Sequence, residues 1–195
     1  MNEGYIKFQV NQIADTEPSL DEVQDLLALR IKLYDLGLIG FAENISYGNV
    51  SKRISHNTFI ITATNTGKTR EIETKDLVKV ISVDIEKNLV HYVGKLPPSS
   101  ETLTHFAIYS TFEFALFVVH FHHKRIWQKW LFQLPTTPVV CEYGSVQLAQ
   151  SIAQLSPFFQ NDEDFGVVIL GGHRDGVMVF GRSIDAILKC IKQLQ

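Results

Sequence analysis

Two histidines at the end of an apolar run, His120 and His122, have the residue type and spacing best suited to chemistry in this sequence. Residues 115–119 precede them and read Ala-Leu-Phe-Val-Val, which is typical of a buried strand. Residues i and i+2 of a strand point to the same face, so the two imidazoles would stand side by side. This arrangement suits a divalent metal ion, although a hydrogen-bonded surface cluster would give the same pattern.

A carboxylate, Glu101, opens a helix predicted over residues 102–114, and this helix leads directly into the histidine strand. A short helix–strand unit can fold back and bring its first turn close to the end of the strand. A metal site with an open coordination position needs such a group nearby to move protons. A carboxylate partly desolvated beside a metal would have a pKa close to the working pH.

The elements around this stretch alternate between helices and strands. Ser19 and Glu22 form a capping box, and apolar residues recur at helical spacing up to Gly37, which predicts an amphipathic helix. Residues 5–10 suit an edge strand or an added arm, and residues 40–49 are predicted to be a loop. Further strands are predicted at residues 50–54, 59–62, 77–83, 89–93, 167–170 and 177–180, and further helices at residues 125–132, 145–155 and 183–194. The turns between consecutive strands indicate a mostly antiparallel sheet covered by helices.

Length and composition limit the function classes. The chain has 195 residues, of which 45% are hydrophobic, so we expect one folded domain over residues 19–195 and an N-terminal arm or edge segment over residues 1–18. The net charge of −3 and the absence of a basic run argue against nucleic acid as a partner. The sequence has neither a span-length apolar stretch nor a signal-peptide pattern, so we expect a cytoplasmic protein that does not bind membranes. Cys141 and Cys190 are expected to be free thiols.

Several motifs occur in an order that identifies a family. Pro98-Ser99-Ser100-Glu101 is followed by His105, by Tyr109 and then by Val119-His120-Phe121-His122. Other matching segments lie at residues 33–39, 47–53, 59–62 and 170–173. Together they resemble the class II aldolase/adducin family over roughly residues 20–190. The resemblance implies an α/β fold in which one three-layer α/β/α domain has a mostly antiparallel central sheet.

The resemblance also implies a complete set of metal ligands. A catalytic zinc usually has three protein ligands and one open position. His173, in a glycine-rich turn after an apolar strand, matches the third histidine of the family, with a hydrogen-bonded turn histidine as the alternative. His120, His122 and His173 are therefore expected to bind one zinc ion, for which cobalt or manganese could substitute.

The other histidines are weaker candidates. His105 shares a helix face with Glu101, so the two could form an i, i+4 ligand pair. We favour a buried, hydrogen-bonded role for His105 behind the site. His123 would point to the opposite face of the strand from His122, and His56 and His91 are expected to be solvated.

Small polar residues at turns and at a helix start could hold a phosphate group. Backbone N–H groups, hydroxyls and amides at such positions suit a dianion. The residues that fit this description and match the phosphate-binding positions of the family are Asn49, Thr66, Gly67, Ser99 and Ser100.

The activity implied by the resemblance is that of a zinc-dependent aldehyde-lyase. Zinc would stabilise an enediolate while Glu101 moves the proton, and a ketose 1-phosphate would be cleaved to dihydroxyacetone phosphate and an aldehyde. Relatives epimerise, dehydrate or decarboxylate related sugar phosphates, and adducin carries the fold as a non-catalytic interaction domain. The resemblance also implies a homotetramer.

Overall fold

A computed structural model describes residues 5–42, 44–160 and 162–195 of the chain. Its strands are β1 (Gln9–Ala14), β2 (Gly40–Ala42), β3 (Ile45–Tyr47), β4 (Asn49–Arg53), β5 (Phe59–Thr62), β6 (Leu77–Asp84), β7 (Leu89–Val93), β8 (Phe117–His122), β9 (Phe165–Ile169) and β10 (Gly176–Gly181). Its α-helices are α1 (Leu20–Asp35), α2 (Thr102–Thr111), α3 (Lys124–Trp130), α4 (Val146–Ala153) and α5 (Ile184–Leu194).

Eight strands form one sheet in the order β1-β7-β6-β5-β4-β8-β10-β9. Of the pairings described, β1 with β7 is parallel and the others are antiparallel. The prediction of a mostly antiparallel sheet is therefore confirmed. β8 lies between β4 and β10, so the histidine strand is central and has a neighbour on each side.

Two apolar clusters lie on opposite faces of the sheet and give the three-layer arrangement. Successive residues of a strand alternate between the faces. In β8, Val118 belongs to the cluster that contains residues of α2 and α4, whereas Phe117 and Val119 belong to the cluster that contains residues of α1, α3 and α5. Burial of both faces stabilises the sheet by removing its apolar side chains from water.

Helix α1 shows how local sequence signals fix an element and its neighbours. The capping box of Ser19 and Glu22 is present, and the predicted helix is confirmed. The helix also carries a buried arginine, Arg30, which is 1% exposed. Its guanidinium donates hydrogen bonds to the carbonyl oxygens of Thr66 (2.8 Å) and Arg70, so the helix braces the loop after β5.

The structure differs from the predictions at three places. Residues 40–42 and 45–47 form the paired strands β2 and β3 instead of a loop, and Asn44 between them has a φ of 64°. The N-terminal strand lies at Gln9–Ala14, further along the chain than predicted. Helix α2 ends at Thr111 because Phe112 is extended, with φ −118° and ψ 97°.

Two further expectations concern cysteines and membranes. Cys141 and Cys190 are free and buried, which confirms that the two thiols are not paired with each other. Among the described residues, every helix is too short or too polar to cross a membrane.

Candidate functional site

Two neighbouring backbone segments carry the histidines of the site. His120 and His122 lie on β8, where His120 is opposite Asn49 of β4 and Met178 of β10. His173 lies in the turn between β9 and β10, which is closed by a hydrogen bond from the Gly176 amide to the His173 carbonyl (2.9 Å). A Cβ at Gly176 would lie 3.2 Å from Cε1 of His120, so the turn approaches the strand closely because this residue is glycine.

The three imidazoles face one another. One ring nitrogen from each of His120, His122 and His173 lies within 4.8 Å of the other two. The Nε2 atoms of His120 and His122 are 3.1 Å apart. Two nitrogens about 2.0 Å from one zinc ion at a tetrahedral angle would be roughly 3.3 Å apart. The spacing therefore fits ligands of a single ion.

The protonation of His120 also suits a metal ligand. Its Nδ1 lies 3.2 Å from the carbonyl oxygen of Val177, which can only accept, so Nδ1 carries the proton and Nε2 keeps its lone pair. Burial lowers the pKa of His120 well below its ordinary value, an effect that Glu101 opposes and that the neighbouring histidines reinforce. A neutral imidazole whose Nε2 carries no proton is the form that binds metal.

Glu101 lies beside the histidines at the start of α2. Its side chain is buried, Oε2 accepts a hydrogen bond from the Thr104 hydroxyl (2.6 Å), and Oε1 is 3.3 Å from Nδ1 of His173. Burial acts to raise the pKa of the carboxyl, but the hydrogen bond and charge of His173 outweigh burial and hold the pKa well below its usual range. The carboxylate is therefore ionised at neutral pH, rather than poised near the working pH as the sequence suggested.

A second cavity adjoins the histidines and is lined by small polar residues. Asn49, Thr66, Ser99 and Ser100 line it, as do Ser46, Gly48, Ala63, Thr64 and Asn65. Gly67 is not among the described lining residues. Its N–H donates to the Ser46 hydroxyl (3.2 Å), and a Cβ there would lie 2.1 Å from the Gly40 carbonyl oxygen, so Gly67 packs behind the wall against the β2–β3 hairpin.

The two cavities share one wall. Ser46, Gly48, Asn49 and Ser100 line both the polar cavity and the cleft that contains the histidines and Glu101. One bound molecule could therefore place an anionic group in the polar cavity and its oxygen atoms beside the imidazoles. The sequence prediction missed Ser46, because residues 40–49 were assigned to a loop. The short alternation Ile45-Ser46-Tyr47 after an asparagine was the signal available.

Aromatic side chains flank the histidine cleft. The ring centroid of Tyr47 is 6.2 Å from that of His122, and the ring centroid of Tyr143 is 5.3 Å from that of His173. Lys7 lies over the Tyr143 ring, with its Nζ 3.9 Å from the centroid, and forms an ion pair with Glu142 (2.9 Å). The N-terminal arm thus reaches a residue that lines the cleft.

The remaining candidate histidines take structural positions. His123 caps α3, where its Nδ1 accepts a hydrogen bond from the Ile126 N–H (3.2 Å). His105 is fully buried, with Nε2 2.6 Å from Oδ1 of Asn49 and Nδ1 2.6 Å from the Ser51 hydroxyl. The hydrogen-bonded role favoured for His105 matches this position.

Comparison with known proteins identifies a matching family and solved structures with the same fold. The family model described as Class II Aldolase and Adducin N-terminal domain matches residues 24–195. An L-fuculose 1-phosphate aldolase superposes with a TM-score of 0.63 at 21% identity, covering 91% of this chain and 86% of the other. YgbL from Escherichia coli, a candidate aldolase/epimerase/decarboxylase, superposes with a TM-score of 0.64 at 18% identity, covering 89% of this chain and 84% of the other. No curated protein sequence matches this chain significantly. At these identities the structural likeness shows the fold alone.

Proposed function

Because this chain belongs to the class II aldolase and adducin family, we propose that it is a metal-dependent aldehyde-lyase that cleaves a ketose 1-phosphate. One observation carries the proposal. Three imidazoles that could share one ion lie beside a buried, ionised carboxylate, and a polar cavity shares a wall with them.

His120, His122 and His173 would hold the ion, with zinc as the expected metal, since three neutral imidazoles suit it. Binding would require His173 to lose the proton whose charge lowers the pKa of Glu101. When bound, the ion supplies a positive charge that polarises a substrate carbonyl and makes the neighbouring C–H or C–C bond easier to break. The fixed tautomer of His120 prepares the site, because the Val177 carbonyl already holds the proton at Nδ1.

Glu101 would accept and return the proton. Its carboxylate is ionised at neutral pH, so it is in the form that accepts a proton. Thr104 holds Oε2, which leaves Oε1, on the side of His173, as the oxygen that faces the reacting atoms. Burial excludes water and thereby strengthens the interaction between this carboxylate and any charge that develops beside it.

The polar cavity would bind the phosphate. Asn49, on β4, offers an amide donor to it, and Ser99 and Ser100, just before α2, offer hydroxyl donors. Thr66 completes the set, and Gly67 would support it from behind by holding Ser46. A phosphate fixed here would orient the rest of the sugar toward Glu101 and the histidines.

Proton abstraction beside a carbonyl also begins epimerisation, dehydration and decarboxylation, so the first step does not by itself set the product. Cleavage is proposed ahead of these alternatives because an L-fuculose 1-phosphate aldolase shares the fold.

We also propose that the chain assembles as a homotetramer. Three exposed apolar side chains within one segment, Phe132, Val139 and Val140, offer a surface for such assembly. Sedimentation equilibrium would check the stoichiometry.

One experiment tests the proposal by measuring metal content, exchange of substrate hydrogen with solvent, and substrate cleavage. The purified protein is loaded with zinc, manganese or cobalt, and a panel of ketose 1-phosphates is followed for aldehyde release and for solvent hydrogen incorporation. We expect both activities in the wild type, with the rate of exchange reduced by about two to four orders of magnitude in Glu101→Gln at unchanged metal content. Full metal binding without exchange on any ketose or aldose phosphate would refute the enzyme and favour an interaction domain.

A further inference from the structure

A chain of buried hydrogen bonds runs from the core to the wall shared by the two cavities. The Tyr109 hydroxyl is 2.7 Å from the Ser51 hydroxyl, which is 2.6 Å from Nδ1 of His105. Nε2 of His105 is 2.6 Å from Oδ1 of Asn49. Ser51 and His105 are fully buried and Tyr109 is 3% exposed, so water does not compete for these groups. The last member, Asn49, lines both cavities.

Tyr109, at the buried end of this series of hydrogen bonds, determines which group donates in each of them. Among the described residues, the Tyr109 hydroxyl has Ser51 as its one hydrogen-bonding partner, so its proton must be donated to Ser51. Arg53, which lies over the Tyr109 ring, has no acceptor to offer. With its oxygen occupied by Tyr109, Ser51 donates its own proton to Nδ1 of His105, the other polar atom within its reach among the described residues. The opposite direction would leave a buried hydroxyl proton without an acceptor, which costs free energy.

The direction of these bonds fixes the tautomer of His105 and the orientation of Asn49. Because Nδ1 of His105 accepts from Ser51, Nε2 carries the proton and donates it to Oδ1 of Asn49. The amide oxygen of Asn49 is thereby occupied, and its Nδ2 remains to face the cavities. Burial also lowers the pKa of His105 to about 3, against a smaller opposing effect of Glu101, so the ring stays neutral.

We propose that His105 is a positioning residue, which acts with Ser51 and Tyr109 to present Nδ2 of Asn49 as a fixed donor to the bound ligand. The inference rests on the proposed function, since it concerns the wall of the proposed phosphate cavity. A fixed donor selects an acceptor, so the ligand atom at Asn49 is a phosphoryl, carbonyl or alkoxide oxygen. A donor group such as an ammonium would meet the wrong end of the amide dipole.

Two substitutions of His105 separate positioning from packing. In His105→Gln the side-chain amide reaches the position of Nε2 and can still donate to Asn49. In His105→Asn the shorter amide lies near the position of Nδ1 and reaches Ser51 but not Asn49. Both variants replace a buried ring by an amide, so the two should lose similar amounts of stability. They differ in whether the side chain at position 105 donates a hydrogen bond to Asn49 and so fixes the orientation of its amide.

Calorimetry measures the affinity of the zinc-loaded protein for inorganic phosphate. Long-range ¹H–¹⁵N spectra show which ring nitrogen of His105 carries the proton. We expect wild-type His105 to be protonated at Nε2, phosphate affinity to fall about tenfold in His105→Asn, and His105→Gln to stay within about twofold of wild type. Protonation at Nδ1, or equal phosphate affinity in the two variants, would overturn the inference. A wild type that binds no phosphate would instead refute the phosphate cavity, and the tautomer would still support or refute the fixed orientation of Asn49.

Discussion

Replacing His105 by glutamine should remove a pH-dependent cost from the stability of the fold. Burial lowers the pKa of this imidazole to about 3 in the folded protein. In the unfolded chain the same group has a pKa of about 6.5. Between these two values the unfolded chain binds a proton that the folded chain excludes. The folded state therefore loses stability as the pH falls below about 6.5, and this loss is absent above that pH.

The size of the effect follows from the interval between the two pKa values. Each pH unit in that interval changes the free energy of unfolding by about 1.4 kcal/mol. A pH of 5 lies about 1.5 units below the unfolded pKa, so His105 should cost the wild type about 2 kcal/mol at pH 5 and almost nothing at pH 7. Glutamine does not titrate, so His105→Gln should not show this term.

Urea denaturation of the metal-free protein at pH 7 and pH 5 measures the difference. The other titrating groups are common to both proteins and cancel in the comparison. Relative to wild type, His105→Gln should gain about 2 kcal/mol between pH 7 and pH 5. His105→Asn is the matched control, because it also lacks the titrating ring and should gain the same amount. If the stability difference between variant and wild type were the same at both pH values, folded His105 would titrate like an exposed imidazole, which contradicts its complete burial.

Three further predictions concern the site and its supporting turns. His122→Ala should abolish stoichiometric zinc in the purified protein while leaving the circular dichroism spectrum unchanged, and retained zinc would exclude this ligand. Asn49→Ala should raise KM more for a phosphorylated ketose than for its unphosphorylated analogue, and equal effects would argue against a phosphate contact. Gly144 has a φ of 61°, and a Cβ there would lie 2.6 Å from the Ser100 carbonyl oxygen. Gly144→Ala should therefore lower the melting temperature more than Gly37→Ala, whose φ is 71° but whose Cβ would contact nothing, and which should cost about 1 kcal/mol.

The sequence predicted those parts of the site that lie on strongly patterned elements. The apolar run before His120 and the period of two in a strand placed two imidazoles on one face. The capping box of Ser19 and Glu22 located α1. These inferences succeeded because each depends on contacts within one element, and the periodicity of that element appears directly in the sequence.

The remaining features depend on residues far apart in the chain. The ion pair of Lys7 with Glu142, which supports the tyrosine beside His173, joins the N-terminal arm to a turn more than a hundred positions later. Ser46 lies on a strand of three residues, too short for alternation to distinguish it from a loop. The low pKa of Glu101 arises from His173, whose position is set by the pairing of β10 with β8 and of β9 with β10. The residue pattern within one element carries no information about contacts between elements that are far apart in the sequence.

The pairing of β1 with β7 has a practical consequence for anyone who shortens this protein. The family model begins at residue 24, but the sheet begins at Gln9. A chain expressed from residue 24 would leave β7 with a row of unpaired backbone groups at the sheet edge and would uncover the apolar residues that pack against Phe8. Exposed edges of this kind pair with other chains. Such a fragment should aggregate, so soluble preparations need the residues that precede the family boundary.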